Sequence, residues 1–240
     1  FCKSLVSSIK LAGSGLPILP VVTANGVCEA VFGRPSHRNG PVTEISDGLW
    51  QVVGRLWWPF SLETRMTIVR LRDGGLLLYS PVEPQEHTIC EVAMLGAVKM
   101  IIAPSLMHDL FSGAWKALMP TARLLCPRGV HKMIERSATV DGYVEDELPD
   151  HGLQVDCHED SLLHAHATLR VPMGDGYALL FSDELQNHGR ETLWATIPTG
   201  MGGLRVTRFF RIAGVRDEAL FAQELLALAD SGPIERSLLG

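Results

Sequence analysis

The segment 98–115, VKMIIAPSLMHDLFSGAW, constrains the fold more than any other part of the chain. Its apolar start, Val98–Ala103, predicts a buried strand, and Ser112–Met119 predicts a helix that ends at the following proline. A second apolar run, Ala122–Cys126, predicts another strand. Strand, helix and strand in this order are typical of layered sheets and helices, so the segment predicts an α/β fold.

A β-hairpin and a short helix precede this segment. Arg65–Leu71 and Leu76–Ser80 have strand-like sequences, and the Asp-Gly and Gly-Gly steps of Arg72–Gly75 supply the positive φ that a tight turn needs. The earlier run LWQVV predicts one more strand. His87–Leu95 has the apolar spacing of a helix and is followed by glycine.

The second half of the chain contains the same mixture of elements. Ala165–Val171 and Tyr177–Phe181 predict two strands joined by a turn, and Thr207–Ala213 predicts a further strand. Arg216–Ala229 predicts an amphipathic helix. The buried side of this helix is expected to consist of Leu220, Phe221, Leu225, Leu226 and Leu228. The acidic segment Ser137–Asp160 is interpreted as a solvated loop, with or without a short strand.

The chain divides into an N-terminal extension and one domain. Residues 1–40 contain Glu29 as their only acidic residue, and Gly and Pro interrupt their apolar runs. We interpret this part as a peripheral extension, poorly ordered or removed by processing, and a cleaved targeting sequence is a further hypothesis for it. Residues 41–240 are predicted to form a single domain, since the chain is 46% hydrophobic and long enough to bury a large core.

Charge and cysteine content argue against several classes of partner. A net charge of -6 and a pI near 5.8 give no general attraction to nucleic acid or to anionic membranes, so neither is predicted as a partner. The apolar run LAGSGLPILPVV is too short to span a bilayer. The five cysteines are odd in number and form no CxxC pair, which argues against a disulfide framework and indicates the cytoplasm or another reducing compartment.

Several motifs, taken in order, resemble those of the metallo-β-lactamase superfamily. ISDGLWQVVG is similar to its opening strand, and MTIVRLRDGGLLLYSP is similar to its next two strands, with Ser80 at the position of the Asp that normally ends them. Pro104, Leu106, His108 and Asp109 stand at the spacing of its HxHxDH metal loop. This loop of the chain therefore resembles the signature while lacking much of its ligand set.

The resemblance continues to the end of the chain. LLFSD, which ends in Asp183, is similar to the strand whose terminal Asp bridges two metals in the superfamily, and His164 and His166 lie nineteen and seventeen residues before it. Ser231-Gly232 stands near the position of the superfamily's last His. Over residues 45–234 the resemblance implies the four-layer αβ/βα sandwich, in a divergent, uncharacterised branch with a degenerate metal loop.

The resemblance also implies a hydrolytic site with an altered metal content. The candidate ligands are His108, Asp109, His164, His166 and Asp183, of which His108 and Asp109 are also the candidate catalytic residues. These residues suffice for one Zn or Fe ion, whose bound hydroxide would attack an ester, thioester or lactone in a small-molecule substrate. The alternative is a metal-free, non-catalytic binding or scaffold module, in which these side chains have structural roles. No GxSxG motif points to a serine hydrolase.

The strand assignments predict a buried core and a convergent site. The residues expected to be buried in mid-strand are Trp50, Ile68, Leu78, Ile101, Leu124, Leu179 and Phe181. The resemblance further implies that His108 and Asp109 meet Asp183 and either His164 or His166 at one edge of the fold.

Overall fold

The computed structural model of the chain describes residues 38–56, 62–188 and 203–239. The extension predicted at residues 1–40 lies outside these ranges, apart from its last three residues. Within the described ranges, none of the helices combines the length and the apolar character that crossing a membrane requires.

The chain forms strands and helices that alternate over most of the described length. The strands are β1 (Thr43–Ser46), β2 (Leu49–Leu56), β3 (Leu62–Arg70), β4 (Leu76–Tyr79), β5 (Val98–Ile102), β6 (Arg123–Cys126), β7 (Gly142–Tyr143), β8 (Gln154–Cys157), β9 (Ala167–Met173), β10 (Gly176–Phe181), β11 (Gln186–His188), β12 (Gly203–Arg205) and β13 (Ile234–Leu239). The α-helices are α1 (Glu86–Leu95), α2 (Ser112–Leu118), α3 (His131–Ile134), α4 (Val144–Glu147), α5 (Arg208–Ala213) and α6 (Glu218–Asp230).

The first sheet has the strand order β1-β2-β3-β4-β5-β6-β7. Strands β1 to β4 pair in antiparallel fashion, and β4 to β7 pair in parallel. The predicted hairpin is confirmed, because the turn between β3 and β4 places Gly74 at a φ of 80° and the Leu71 N–H donates to the Gly75 carbonyl at 2.8 Å. The parallel half requires crossovers, which α1 and α2 provide.

The second sheet has the strand order β13-β10-β9-β8. Strands β8, β9 and β10 are antiparallel neighbours, and β13 lies parallel to β10. The turn between β9 and β10 places Met173 opposite Gly176, which confirms the second predicted strand pair. Strands β11 and β12 form a separate antiparallel ribbon.

Alternating side chains of the strands separate the molecule into four layers. In β4, Leu78 belongs to a core that includes Trp115 of α2, whereas Leu77 belongs to a core shared with Leu180 of the second sheet. On the other side of that sheet, Phe181 packs against Leu228 of α6. The order helix, sheet, sheet, helix is the predicted four-layer αβ/βα sandwich. All seven predicted core residues are buried, and the most exposed of them, Trp50, is 8% exposed.

One predicted strand is wrong. Thr207–Ala213 is expected above to be extended, but Arg208–Ala213 forms helix α5. The Thr207 hydroxyl accepts a hydrogen bond from the Phe210 N–H at 3.1 Å, which caps the helix, and Phe210 is buried against Phe221. Capping and tertiary packing therefore outweigh the strand propensity of the local sequence.

Three smaller features also differ from the predictions. The segment Ser137–Asp160 contains β7, α4 and β8, since Leu148 and Leu153 anchor it in the core between the sheets. Leu226 of α6 is 64% exposed, so it does not belong to the buried side of that helix. Cys90 is half-buried and disulfide-bonded, which the scattered cysteine pattern does not predict.

Candidate functional site

Three segments of the chain meet near the carboxyl ends of β4, β5 and β10. Ser80 directly follows β4, and the loop after β5 contains a 3₁₀ turn, Leu106–His108, that ends at His108. Asp183 follows the end of β10 by two residues. The Ala167 N–H donates to the Pro104 carbonyl at 2.9 Å, so the loop after β5 is fixed against the start of β9.

A hydrogen-bonded chain joins Ser80, His108 and Asp183. Ser80 Oγ lies 2.5 Å from His108 Nδ1, and Asp183 Oδ1 lies 3.1 Å from His108 Nε2. Because an ionised carboxylate can only accept, Nε2 carries the proton that bonds to Asp183. In the neutral ring, Nδ1 is then the acceptor for the Ser80 hydroxyl. His108 and Asp183 are thus in contact although they lie seventy-five positions apart in the sequence.

The contact between His108 and Asp183 shifts the pKa of both groups. Burial lowers the pKa of His108, but the Asp183 charge and hydrogen bond outweigh burial, so this pKa lies above its ordinary value. Burial likewise raises the pKa of Asp183, and the attraction of His108 outweighs it, so this pKa lies below its ordinary value. The result is an imidazole of increased basicity beside a carboxylate that stays ionised.

Ser80 has a backbone conformation that few residues other than glycine adopt. Its φ is 55°, and within the described ranges it is the one non-glycine residue with a positive φ. Such a conformation costs on the order of 1–3 kcal/mol and is found where the surrounding structure holds a functional residue in place. Ser80 is held by its own N–H, which donates to the Ile102 carbonyl at 3.1 Å, and the residue is 3% exposed.

The two carboxylate oxygens of Asp183 differ in their contacts with the described residues. Its Oδ1 accepts from His108 and, at 3.4 Å, from the Gln186 amide, whereas its Oδ2 is buried and accepts no hydrogen bond from the described residues. A buried oxygen without a donor costs free energy. Buried polar atoms without a partner are exceptions in folded proteins, and a catalytic role is one of their explanations.

His166 lies in a second buried polar group, together with Ser182 and Glu184. Its Nδ1 is 3.1 Å from Ser182 Oγ and 3.7 Å from Glu184 Oε1. The fully buried Glu184 carboxylate accepts the Ser182 N–H at 2.7 Å, which holds the turn that contains Asp183. Burial lowers the pKa of His166, so the neutral ring is favoured.

Asp109 and His164 do not contact His108 or Asp183 through a hydrogen bond. Asp109 is 3% exposed, and its Oδ2 accepts the Ser137 hydroxyl at 3.1 Å. Burial raises the pKa of Asp109 to about 6. His164 is exposed. Of the five candidate site residues, the structure therefore brings His108 and Asp183 into direct contact.

The described residues do not fit the metal site that the resemblance implies. They contain no group of three or more His, Cys, Asp or Glu side chains placed to hold a metal ion, whereas a catalytic zinc takes three protein ligands. Both ring nitrogens of His108 are engaged, one by Ser80 and one by Asp183. The arrangement offers a nucleophile, a base and an orienting carboxylate, which are the parts of nucleophilic catalysis.

The sequence interpretation missed two members of these networks. Ser80 is not among the candidate site residues named from the sequence. The sequence does contain a signal for it, because this serine follows the apolar strand LLLY at the position where the resemblance places an Asp. His158 is also buried, with Nδ1 2.8 Å from Glu224 Oε2 and Nε2 3.2 Å from Thr168 Oγ1. No spacing in the sequence links His158 to Glu224, which lies on α6.

A family model described as a domain of unknown function, DUF4336, matches residues 55–132, which is less than half of the chain. No curated protein matches the chain.

Solved structures match over most of the chain. The metallo-β-lactamase FIM-1 from Pseudomonas aeruginosa, in its mono-zinc form, is 11% identical with a TM-score of 0.57, over 83% of this chain and 87% of that one. A metallo-β-lactamase from Hirschia baltica is 14% identical with a TM-score of 0.57, over 83% and 90%. One from Erythrobacter litoralis is 13% identical with a TM-score of 0.58, over 85% and 90%. Likeness at such identities concerns the fold alone.

Proposed function

Since the chain has the metallo-β-lactamase fold in a divergent form, we propose that it hydrolyses esters, thioesters or lactones of small molecules. In this proposal His108 is the general base and Asp183 orients it. Asp183 also stabilises the imidazolium that forms when His108 accepts a proton. The reaction uses no resident metal ion.

The contact between His108 Nε2 and Asp183 Oδ1, at 3.1 Å, carries this proposal. It fixes the ring and its tautomer, so Nδ1 is the nitrogen that accepts a proton. It also increases the basicity of the ring. An imidazole acts as an efficient general base when one nitrogen faces the reacting group and a carboxylate holds the other nitrogen. General base catalysis typically accelerates a reaction by about 10²–10⁴.

The single-metal hydrolase implied by the sequence resemblance is a different version of this function. The FIM-1 neighbour was solved in a mono-zinc form. In the present chain Pro104 and Leu106 stand at the first two ligand positions of the loop, and neither side chain can coordinate. His108 is engaged at both nitrogens. For this reason we assign proton transfer to the imidazole rather than to a metal-bound hydroxide.

The test is hydrolysis of a panel of chromogenic esters, thioesters and lactones by the purified chain. His108→Gln and Asp183→Asn are each expected to lower kcat/KM by at least about 100-fold, because they remove the base or its orienting charge. Matched controls are His164→Gln and Asp175→Asn, which make the same changes at exposed positions. Both controls are expected to keep the wild-type rate.

Two outcomes contradict the proposal. If the folded wild-type chain hydrolyses no member of the panel, the alternative of a non-catalytic binding or scaffold module is favoured. If His108→Gln hydrolyses the substrates as fast as the wild type, the chemistry takes place elsewhere in the chain. Circular dichroism of each variant establishes that a loss of rate is not a loss of fold.

A further inference from the structure

We infer that the Ser80 hydroxyl, rather than water, attacks the acyl group, so that an ester of Ser80 is an intermediate. This inference rests on the proposed hydrolase function and adds a residue to it. Ser80 Oγ lies 2.5 Å from His108 Nδ1, the acceptor nitrogen, whereas Asp183 contacts the other ring nitrogen, Nε2. Nucleophile, base and orienting group are each within hydrogen-bond reach of the next, which is the signature of an activated serine.

The backbone at Ser80 supports the same assignment. In α/β-hydrolases the nucleophilic serine sits on a sharp turn directly after a strand, in a strained conformation. Ser80 directly follows β4, and its φ is 55°. No GxSxG motif surrounds Ser80, so the sequence pattern does not reveal this geometry. Glycine would adopt this φ without strain, so the serine is retained at a cost in free energy, and what it adds is the hydroxyl that contacts His108.

Acylation of Ser80 and hydrolysis of its ester require only the substrate and one water molecule. Ser80 Oγ bonds to the carbonyl carbon while its proton passes to His108 Nδ1, and the tetrahedral adduct then collapses. The bond to the leaving alcohol or thiol breaks, and His108 returns the proton to that group. Water next attacks the Ser80 ester, again losing a proton to His108. The acid is released, and the proton returns to Ser80 Oγ.

The backbone around Ser80 also indicates the class of substrate. The Ser80 N–H donates to the Ile102 carbonyl, and the next residue, Pro81, has no N–H. In α/β-hydrolases the residue after the nucleophile supplies a backbone donor to the oxyanion. The loss of one such donor costs about 10²–10³ in rate. We therefore expect activated acyl groups, thioesters and aryl esters, to react well ahead of alkyl esters and amides.

The experiment is covalent capture followed by mass spectrometry of the full chain. A fluorophosphonate is expected to add one phosphonyl group to the peptide that contains Ser80. In rapid-mixing experiments, an aryl ester is expected to release a burst of one phenol per chain. Ser80→Gly is the matched deletion, because glycine removes the hydroxyl and tolerates the positive φ. Ser46→Ala, three strands away on β1, is the control and is expected to be labelled like the wild type.

The outcomes separate this inference from the proposed function. If Ser80→Gly is folded, takes no label and loses at least about 100-fold in kcat/KM, Ser80 is the nucleophile. If Ser80→Gly hydrolyses the aryl ester at the wild-type rate, or the label lies on another residue, the inference is wrong. In that case a remaining dependence on His108 means that the base acts on water and the proposed function stands. Loss of that dependence overturns both.

Discussion

Asp109→Asn is expected to stabilise the chain at neutral and alkaline pH. Asp109 is 3% exposed, and burial raises its pKa from 3.8 to about 6. The folded state therefore binds the proton more tightly than the unfolded state does. Between about pH 4 and pH 6 the free energy of unfolding falls as pH rises, and above that range the buried charge destabilises the fold.

The magnitude follows from the pKa difference between the folded and the unfolded state. A difference of about two pH units corresponds to about 3 kcal/mol, at about 1.4 kcal/mol per unit. Asparagine carries no charge and keeps an oxygen that can accept the Ser137 hydroxyl. We therefore expect Asp109→Asn to gain up to about 3 kcal/mol at pH 8 and little or nothing at pH 4.

Urea denaturation of the wild type and of Asp109→Asn at pH 4, 6 and 8 measures this difference. The exposed Asp150→Asn is the control and is expected to change stability by less than about 0.5 kcal/mol at each pH. A loss of stability in Asp109→Asn at pH 8 would refute the reasoning. It would mean that the Asp109 charge is compensated in the fold, as it would be by a bound cation.

Three further predictions concern the site and its support. The logarithm of kcat/KM should rise with pH to a plateau, with a midpoint above about 6.5 because the pKa of His108 is raised. Asp183→Asn removes the charge that raises this pKa and should therefore move the midpoint to lower pH. Tyr79→Phe should lower the free energy of unfolding in urea by about 1–2 kcal/mol, because the buried Tyr79 hydroxyl bonds to carbonyls of β9 and β10 at 2.8 and 3.1 Å. Thr207→Ala removes the cap of α5 and should cost about 1 kcal/mol, measured as faster amide exchange in that helix.

Local signals in the sequence were sufficient for much of the fold. The hairpin at Arg72–Gly75 depends on glycines that accept a positive φ, and this requirement is visible in the sequence. Leu78 and Leu124 are buried, as expected for residues within continuous apolar runs, because such runs are typical of strands covered on both faces. Helix α5 was not predicted because the burial of Phe210 depends on Leu162 and Phe221, which are distant in the chain. Its capping residue Thr207 is local, but a threonine before an apolar run is also compatible with a strand. In Ser137–Asp160 the many acidic residues favoured the prediction of a loop. Leu148 and Leu153 of this segment are nevertheless buried against residues distant in the chain.

The site was harder to predict, because hydrogen-bond partners have no local signature. His108 and Asp183 could be named together only through the resemblance, since the fold alone brings them into contact. Ser80 is one serine among many, and what distinguishes it is a φ of 55° and a contact with His108. Neither property follows from its neighbours in the chain.

The most direct test of the central claim measures the hydrolysis rate and the metal content on the same sample. The purified chain is stripped with a chelator and then titrated with zinc, while hydrolysis of an aryl ester is followed. Proton transfer by the His108 and Asp183 pair predicts a rate that does not change with zinc content and that disappears in His108→Gln. A rate near zero in the stripped chain that rises in proportion to bound zinc would contradict this account.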